Sequence, residues 1–499
     1  MRLNELASLF AVSKVIGNGE VSIQGMEMDS RKVKPGDLFL CVPEYPNLIF
    51  QDRHQYAGEA IEHGAAAVLT ERVLEVDAPQ LLVKNVRYAM AVIASHYYGY
   101  ASRDFHVIGV TGTNGKTTTS HIIEHILHDQ GVRMGLMGNL GMKITDNLLE
   151  YEGNTQESLD LQRSFSRMRD EEVSCCVMEV SSHGLQLGRV LGTHFRTAVF
   201  TNLTQDHLDF HLSMHQYKAA KGLLFSRLGN TFTPDYSERK YAVLNADDAA
   251  SEYFAEITPA QVVTYGMDHQ ADLHATQISI TSGGTQFHLS CFAGEIDVQL
   301  KLIGKFNVYN ALGAIAATLL EGVPLEQVKN SLEGMSIVPG RMEPVIEGQG
   351  FLVLVDYAHT PDGLENALST IREFALGRVI TVFGCGGDRD RGKRPIMGEI
   401  AAQYSDYVYV TSDNPRTENP DRILLDIEPG LIEQGFPEHR YEMIVDRRSA
   451  IKKAIEMASP NDVILIAGKG HETYQIMGKT KTHFDDREEA RAAIRGLKL

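Results

Sequence analysis

Short runs rich in Val and Ile alternate with helix-patterned segments along this chain, and no other feature restricts its fold so much. Phe105–Val110, Cys176–Val180, Ala198–Thr201, Ala242–Asn245, Leu352–Asp356, Val379–Phe383, Tyr407–Thr411 and Val463–Ala467 are brief and apolar, as strands buried on both faces are. Thr117–Gln130, Leu364–Ala375 and Arg447–Met457 carry helical spacing between several of them. Such alternation predicts an α/β chain with mainly parallel sheets. Turn-like stretches at Gly99–Ser102 and Val338–Arg341 predict domains of residues 1–102, 103–337 and 338–499. A length of 499 residues agrees with about three domains.

Charge narrows the function. The 47 Lys and Arg against 65 Asp and Glu leave a net charge of −18. Such a surface repels phosphate backbones and anionic lipid, so neither nucleic acid nor membrane is expected as a partner. An anionic ligand has to be gathered by a few local cations. No window reaches the roughly 18 apolar residues of a membrane span. The five cysteines are scattered without a CxxC pair, as reduced thiols of a cytoplasmic protein are.

Gly109-Val110-Thr111-Gly112-Thr113-Asn114-Gly115-Lys116-Thr117-Thr118 follows an expected strand and opens an expected helix. Glycines let backbone N–H groups curl round phosphate oxygens, Lys116 is placed to reach the outer phosphates, and Thr117 can ligate Mg²⁺. The strict G-x4-G-K-[ST] spacing is missed by one residue at Gly109. Three further segments look chemical. Glu179 sits at the end of a strand in MEVSSHG; TNLTQDHLDFH ends another strand with two acids and two histidines, His207 among them; and Tyr217–Lys221 reads as the start of a helix. Taken alone, Lys218 and Lys221 would be ordinary solvated lysines.

Ten ordered segments carry a resemblance: GVTGTNGKTTT, EVSSHGL, NLTQDHLDFH, YKAAKGLLF, GKFNVYNALGAIA, PGRME, DYAHTPDGL, GCGGDRDRGKRP, SDNPRTENP and AGKGHE. Together they resemble the Mur ligases, and within them the branch that adds the third amino acid to a UDP-N-acetylmuramoyl dipeptide. The resemblance implies an N-terminal UDP-binding domain, a central P-loop ATPase domain and a C-terminal Rossmann-like domain that carries the amino acid. It implies a cytoplasmic monomer that uses ATP and Mg²⁺ to activate a carboxylate as an acyl phosphate, which an amine then attacks. Activation is chemically sensible, since a bare carboxylate has no adequate leaving group.

Carried over by position, the resemblance gives Gly112, Thr113, Asn114, Gly115, Lys116, Thr117, Thr118, Asn307, Arg341 and Asp356 to ATP, with His359 close by. Thr117, Glu179, His207 and Lys221, the last as a carbamate, are the implied metal ligands; Lys116, Lys221 and His207 are the implied catalytic set. Ser30, Thr155, Gln156, Ser181 and Arg189 fall to the UDP-sugar dipeptide. Departures from the family pattern are Gln156 after Asn154-Thr155, Leu187 two before Arg189, and Arg53 within Asp52-Arg53-His54, downstream of Val42–Asn47.

For the amino acid, the implied contacts are Arg389, Asp413, Asn414, Pro415, Arg416, Gly468 and Glu472. Charge favours meso-diaminopimelate, which ends in an ammonium and a carboxylate that Arg416 can clamp. L-Lysine ends in an ammonium alone, which Arg416 repels. The competing readings are the lysine-adding relative, folylpolyglutamate synthetase, and a P-loop switch without amino-acid dependence.

Overall fold

The computed structural model describes residues 1–45, 51–149, 155–232, 235, 238–281, 283–335 and 338–497. Pro46, Asn47, Asn154 and the residues just before the expected 337/338 boundary lie outside them. The chain forms two compact units, one of residues 1–109, 132–198 and 219–240, the other of 110–131, 199–218 and 241–499.

The first unit opens with a five-stranded sheet in the spatial order Lys14–Ile16, Gln80–Leu82, Ala67–Thr70, Asp37–Leu40, Gly25–Glu27. Only the Lys14–Ile16 edge runs antiparallel. Alternation of side chains splits the strands between two cores. Leu38, Leu40 and Leu69 pack with Val86, Ala89, Met90 and Ile93 of the helix Val86–Tyr97, which Asn85 caps. Phe39 and Val68 pack with Ala57 and Ala60 of Ala57–Glu62. Further along, Met134–Gly138 pairs parallel with Cys175–Glu179 and then turns through the antiparallel strands Gly141–Ile144 and Asn147–Leu149.

The second unit contains the helix Lys116–Asp129 and a parallel run of Tyr241–Asn245, Gln261–Gly266 and Leu273–Thr281. An antiparallel meander, Gly284–Cys291 and Gly294–Leu300, extends that run. Its outer strand buries Ile296, Val298 and Leu300 in alternation. That period of two is what a sheet with one covered face requires. The expected helix start at Tyr217 is earlier in the structure: the helix spans Met214–Ser226.

The C-terminal sheet places the functional loops. Its order is Glu343–Pro344, Leu352–Asp356, Val463–Ala467, Val379–Phe383, Tyr407–Thr411, Tyr441–Ile444, parallel except at the first edge. The last strand in sequence, Val463–Ala467, thus inserts between the second and the third. The carboxyl ends of Val463–Ala467, Val379–Phe383 and Tyr407–Thr411 become neighbours, and ligands of open α/β sheets bind at such a switch. Apolar side chains cover both faces. On one face the helices Lys393–Tyr404 and Pro420–Glu433 meet through Gly398 and Gly430. A Cβ at Gly430 would lie 1.9 Å from the Pro395 carbonyl oxygen. Gly430→Ala should therefore lower stability by about 1–3 kcal/mol, as overpacking does, measured by thermal unfolding against the parent chain.

Candidate functional site

The loop expected to hold the nucleotide is built by close backbone approach. Gly112, at φ +155°, leaves no room for a side chain, because a Cβ there would lie 1.8 Å from Thr201 Oγ1. Gly115 takes φ +83° to start the helix Lys116–Asp129 and faces Asn310 in the same way. The loop after Thr197–Phe200 holds it. Thr113 N–H donates to Asn202 O (2.8 Å), Asn114 N–H to Asn202 Oδ1 (2.9 Å), and Thr201 Oγ1 to Asn114 O (2.6 Å). Lys116 Nζ donates to the Gly112 and Thr113 carbonyls at 2.9 and 2.7 Å, so its ammonium lies over the loop. Thr118 is buried in the first turn of that helix.

Residues from the C-terminal sheet reach the same loop. Arg341 Nη2 donates to Thr117 Oγ1 at 3.1 Å, and its guanidinium lies 4.7 Å over the Tyr357 ring. Asn114 Nδ2 donates to Asp362 Oδ2 at 2.6 Å. Asp362 stands in the first turn of the helix Pro361–Phe374, capped by Thr360. Asp356 is buried at the end of its strand, where its carboxylate accepts the N–H groups of Met342 and Ala358 at 2.7 and 2.8 Å. Burial raises its pKa, against the pull of Arg341. Burial, followed by the nearby Lys393, depresses His359 to about 4, leaving it neutral at physiological pH. Asn307 is fully buried, donating to Ile303 O and accepting from Asn310.

His207 starts the short helix Leu208–His211 with φ +55°, its Nε2 3.3 Å from Asp206 Oδ2. Burial opposes charge on Asp206, yet His207, Lys393 and His359 hold its pKa below the ordinary carboxylate range. In the first unit, Glu179 ends its strand with 2% exposure and accepts the Asn139 N–H at 2.9 Å. Lys221 is 1% exposed, unlike the solvated lysine its helix position suggests when taken alone.

The expected dipeptide residues form a second cluster in that unit. Thr155 Oγ1 lies 3.0 Å from Ser181 Oγ and accepts the Ser181 N–H, while Ser181 caps Ser182–Gln186. Arg189, expected to grip an acid of the substrate, donates to Glu157 Oε1 (3.0 Å) and Thr155 O (2.9 Å). Gln156 accepts from Ser164. Ser30 donates to Glu59 in the N-terminal sheet region, and Arg53 donates to Met28 O.

At the C-terminal switch, the residues expected to meet the amino acid come together. Asn414 is buried between Glu472, which accepts from its Nδ2 at 2.9 Å, and Lys469, which donates to its Oδ1 at 3.0 Å. Gly468 takes φ +118°, and a Cβ there would lie 2.6 Å from Asp413 Oδ2. Arg416 has φ +52°; its N–H donates to Ile476 O and its Nη1 to Gly387 O, at 3.0 and 2.8 Å. Desolvation and then Arg416 lower the pKa of Arg389. Pro415 packs its carbonyl against Gly387, where a Cβ would lie 1.9 Å away. Burial and the Asp413 charge raise the pKa of Glu472, while Lys469 and Arg447 hold Asp413 low.

Beneath this cluster lies a pair that no motif marks. Arg447 and Asp486 have fully buried side chains joined by two hydrogen bonds of 2.7 Å. Arg447 also donates to Ala467 O (2.9 Å) and Ser412 O (3.4 Å), the carbonyls just before Gly468 and Asp413. Asp486→Asn leaves that guanidinium without its counter-charge. It should cost about 3–5 kcal/mol, read from denaturant unfolding.

The Mur ligase middle domain model matches residues 110–318, and the Mur ligase, glutamate ligase domain model matches residues 340–470. The chain is 50% identical, over 99% of each sequence, to the UDP-N-acetylmuramoyl-L-alanyl-D-glutamate–2,6-diaminopimelate ligase of Bacillus cereus. It is 51% identical to the ligase of that name from Halalkalibacterium halodurans, over 97% of this chain and 96% of the relative. A solved structure of a ligase with the same name superposes with a TM-score of 0.68 at 33% identity, covering 99% of each chain. Likeness of this extent runs through both the nucleotide loop and the loops of the C-terminal switch, and the chain belongs to the Mur ligase family.

Proposed function

We propose that this protein is the ATP-dependent ligase that joins meso-diaminopimelate to UDP-N-acetylmuramoyl-L-alanyl-D-glutamate in peptidoglycan precursor synthesis. The observation that carries the reading is half identity over nearly the whole chain to ligases of that name. The γ-phosphoryl group of ATP passes to the free carboxylate of the dipeptide, giving an acyl phosphate and ADP. The amine of diaminopimelate attacks the acyl carbon, loses a proton, and expels phosphate from the tetrahedral intermediate. Such chemistry demands positioning and charge neutralisation above all.

The roles of single residues belong to the same proposal, as does the division into domains at 102/103 and 337/338. Lys116, with Gly112–Thr118, binds the ATP phosphates; Asn307, Arg341 and Asp356 bind base and ribose. Thr155, Gln156, Ser181, Arg189 and Ser30 bind the UDP-sugar dipeptide. Thr117 and His207, with Glu179 and a carbamylated Lys221, are the candidate holders of Mg²⁺. The donor chemistry fits, since Mg²⁺ prefers hard oxygen ligands and takes only one or two carboxylates beside phosphate and water. Among the described residues no group of three or more His, Cys, Asp and Glu gathers as a metal cluster. The bound ion would neutralise phosphate charge. Carbamylation needs a neutral amine, and the near-complete burial of Lys221 favours it. Arg416 and Arg389 take the distal carboxylate of diaminopimelate, and Glu472 its ammonium.

No helix among the described residues is long and apolar enough to cross a membrane. A monomer in the cytoplasm, binding neither nucleic acid nor lipid, completes the proposal.

With the UDP-dipeptide and ATP, diaminopimelate should yield a new peptide bond and stoichiometric ADP. Equal turnover with L-lysine would defeat the selectivity, and ADP release without added amine would defeat the reaction. Arg416→Ala should raise KM for diaminopimelate about tenfold to a hundredfold, the worth of a charged hydrogen bond. Lys221→Ala should lower kcat by about a hundredfold or more while cooperative unfolding persists; retained activity would remove the lysine from the mechanism.

A further inference from the structure

Two loops carry the arginines assigned above to the amino acid, Cys385–Asp390 with Arg389 and Asp413–Glu418 with Arg416, and one carboxylate ties them together. Glu418 Oε1 accepts the Asp388 N–H at 2.6 Å. The same carboxylate takes the fork of Arg394, Nη2 to Oε1 at 2.9 Å and Nη1 to Oε2 at 3.1 Å. Arg394 is fully buried, donates also to Asp426 Oδ2 (2.8 Å) and Gly386 O (3.2 Å), and lies in the helix Lys393–Tyr404. The hydrogen bond from Arg394 leads the causes that hold Glu418 below its usual pKa.

Further bonds cross between the loops in the same register. The Asp388 carboxylate accepts the Thr417 N–H (3.1 Å) and hydroxyl (2.8 Å). Gly387 N–H donates to Asn414 O (2.9 Å), and Arg416 Nη1 to Gly387 O (2.8 Å). Asp388 and Arg416 both hold left-handed backbone, at φ +54° and +52°, without being glycine. Strain of that kind persists where the surroundings over-determine it, and such places cluster at ligand sites. Two guanidiniums close enough to act on each other would drift apart without a fixed base.

We propose that Glu418, clasped by the buried Arg394, is a positioning residue that sets the spacing of Arg389 and Arg416 and so fixes selectivity for an amino acid ending in a carboxylate. The proposal rests on the diaminopimelate reading above and adds to it a residue that touches no substrate.

The test compares diaminopimelate and L-lysine as acceptors for the full chain and its variants. Glu418→Gln should raise KM for diaminopimelate about tenfold or more, as small misplacements of binding groups do. The ratio of kcat/KM between diaminopimelate and lysine should fall by a similar factor, with KM for ATP and for the UDP-dipeptide unchanged. Arg394→Lys, which keeps charge but loses the fork, should fall between parent and Glu418→Gln. Thr417→Val removes one exposed stitch and spares the buried pair; it should raise the same KM about fivefold, the worth of one hydrogen bond. If Glu418→Gln does not fold, Thr417→Val decides. Equal losses toward all three substrates with selectivity intact, or a lowered melting temperature alone, would overturn the proposal. A parent enzyme with no preference for diaminopimelate would instead refute the reading on which it rests.

Discussion

The insertion of the late strand Val463–Ala467 between Leu352–Asp356 and Val379–Phe383 is the constraint on which the rim proposed to meet the amino acid depends. A chain that added its strands in simple succession would leave Gly468 and Glu472 at an edge, away from Asp413 and Arg389. Because the last strand returns to the middle, three loops distant in sequence share one rim. Register holds them level: Val382 lies opposite Ile466, and Phe383 opposite Val410. Close approach then removes slack, with Gly384, Gly387 and Gly468 each set where a Cβ would strike a neighbouring loop.

The nucleotide loop depends on a comparable arrangement. Its glycines press against Thr201 and Asn310, its amides are taken by Asn202, and Arg341 and Asp362 reach it from the C-terminal sheet. Lys116 is anchored by carbonyls of its own loop, so an ammonium suited to phosphate is already in place beside the helix start.

Much of this was legible in the sequence. The eight short apolar runs coincide with observed strands to within a residue or so, because strands buried on both faces leave little doubt about period or length. The meander Gly284–Leu300 escaped the same reading. Its strands alternate polar and apolar residues, as GEIDVQL does, and a search for continuous apolar runs passes over them. Arg394 and Glu418 stand within GCGGDRDRGKRP and SDNPRTENP, but only the fold brings them within bonding distance. Asp486 had no motif at all. Its importance arises from a partner nearly forty positions away and from complete burial, neither of which periodicity reports.

The pairing of Arg447 with Asp486 also has a bearing on how the chain is made. Domains fold as units while synthesis runs from the N-terminus, and the nucleotide loop at Gly112–Thr117 emerges long before the helix Asp486–Gly496. Until that helix arrives, Arg447, whose guanidinium donates to the carbonyls of Ser412 and Ala467 in the folded chain, lacks the carboxylate that takes its fork. The loop Gly112–Thr117 belongs to the same compact unit as that helix, so a segment made early and a rim made late both wait for the end of the chain to be complete.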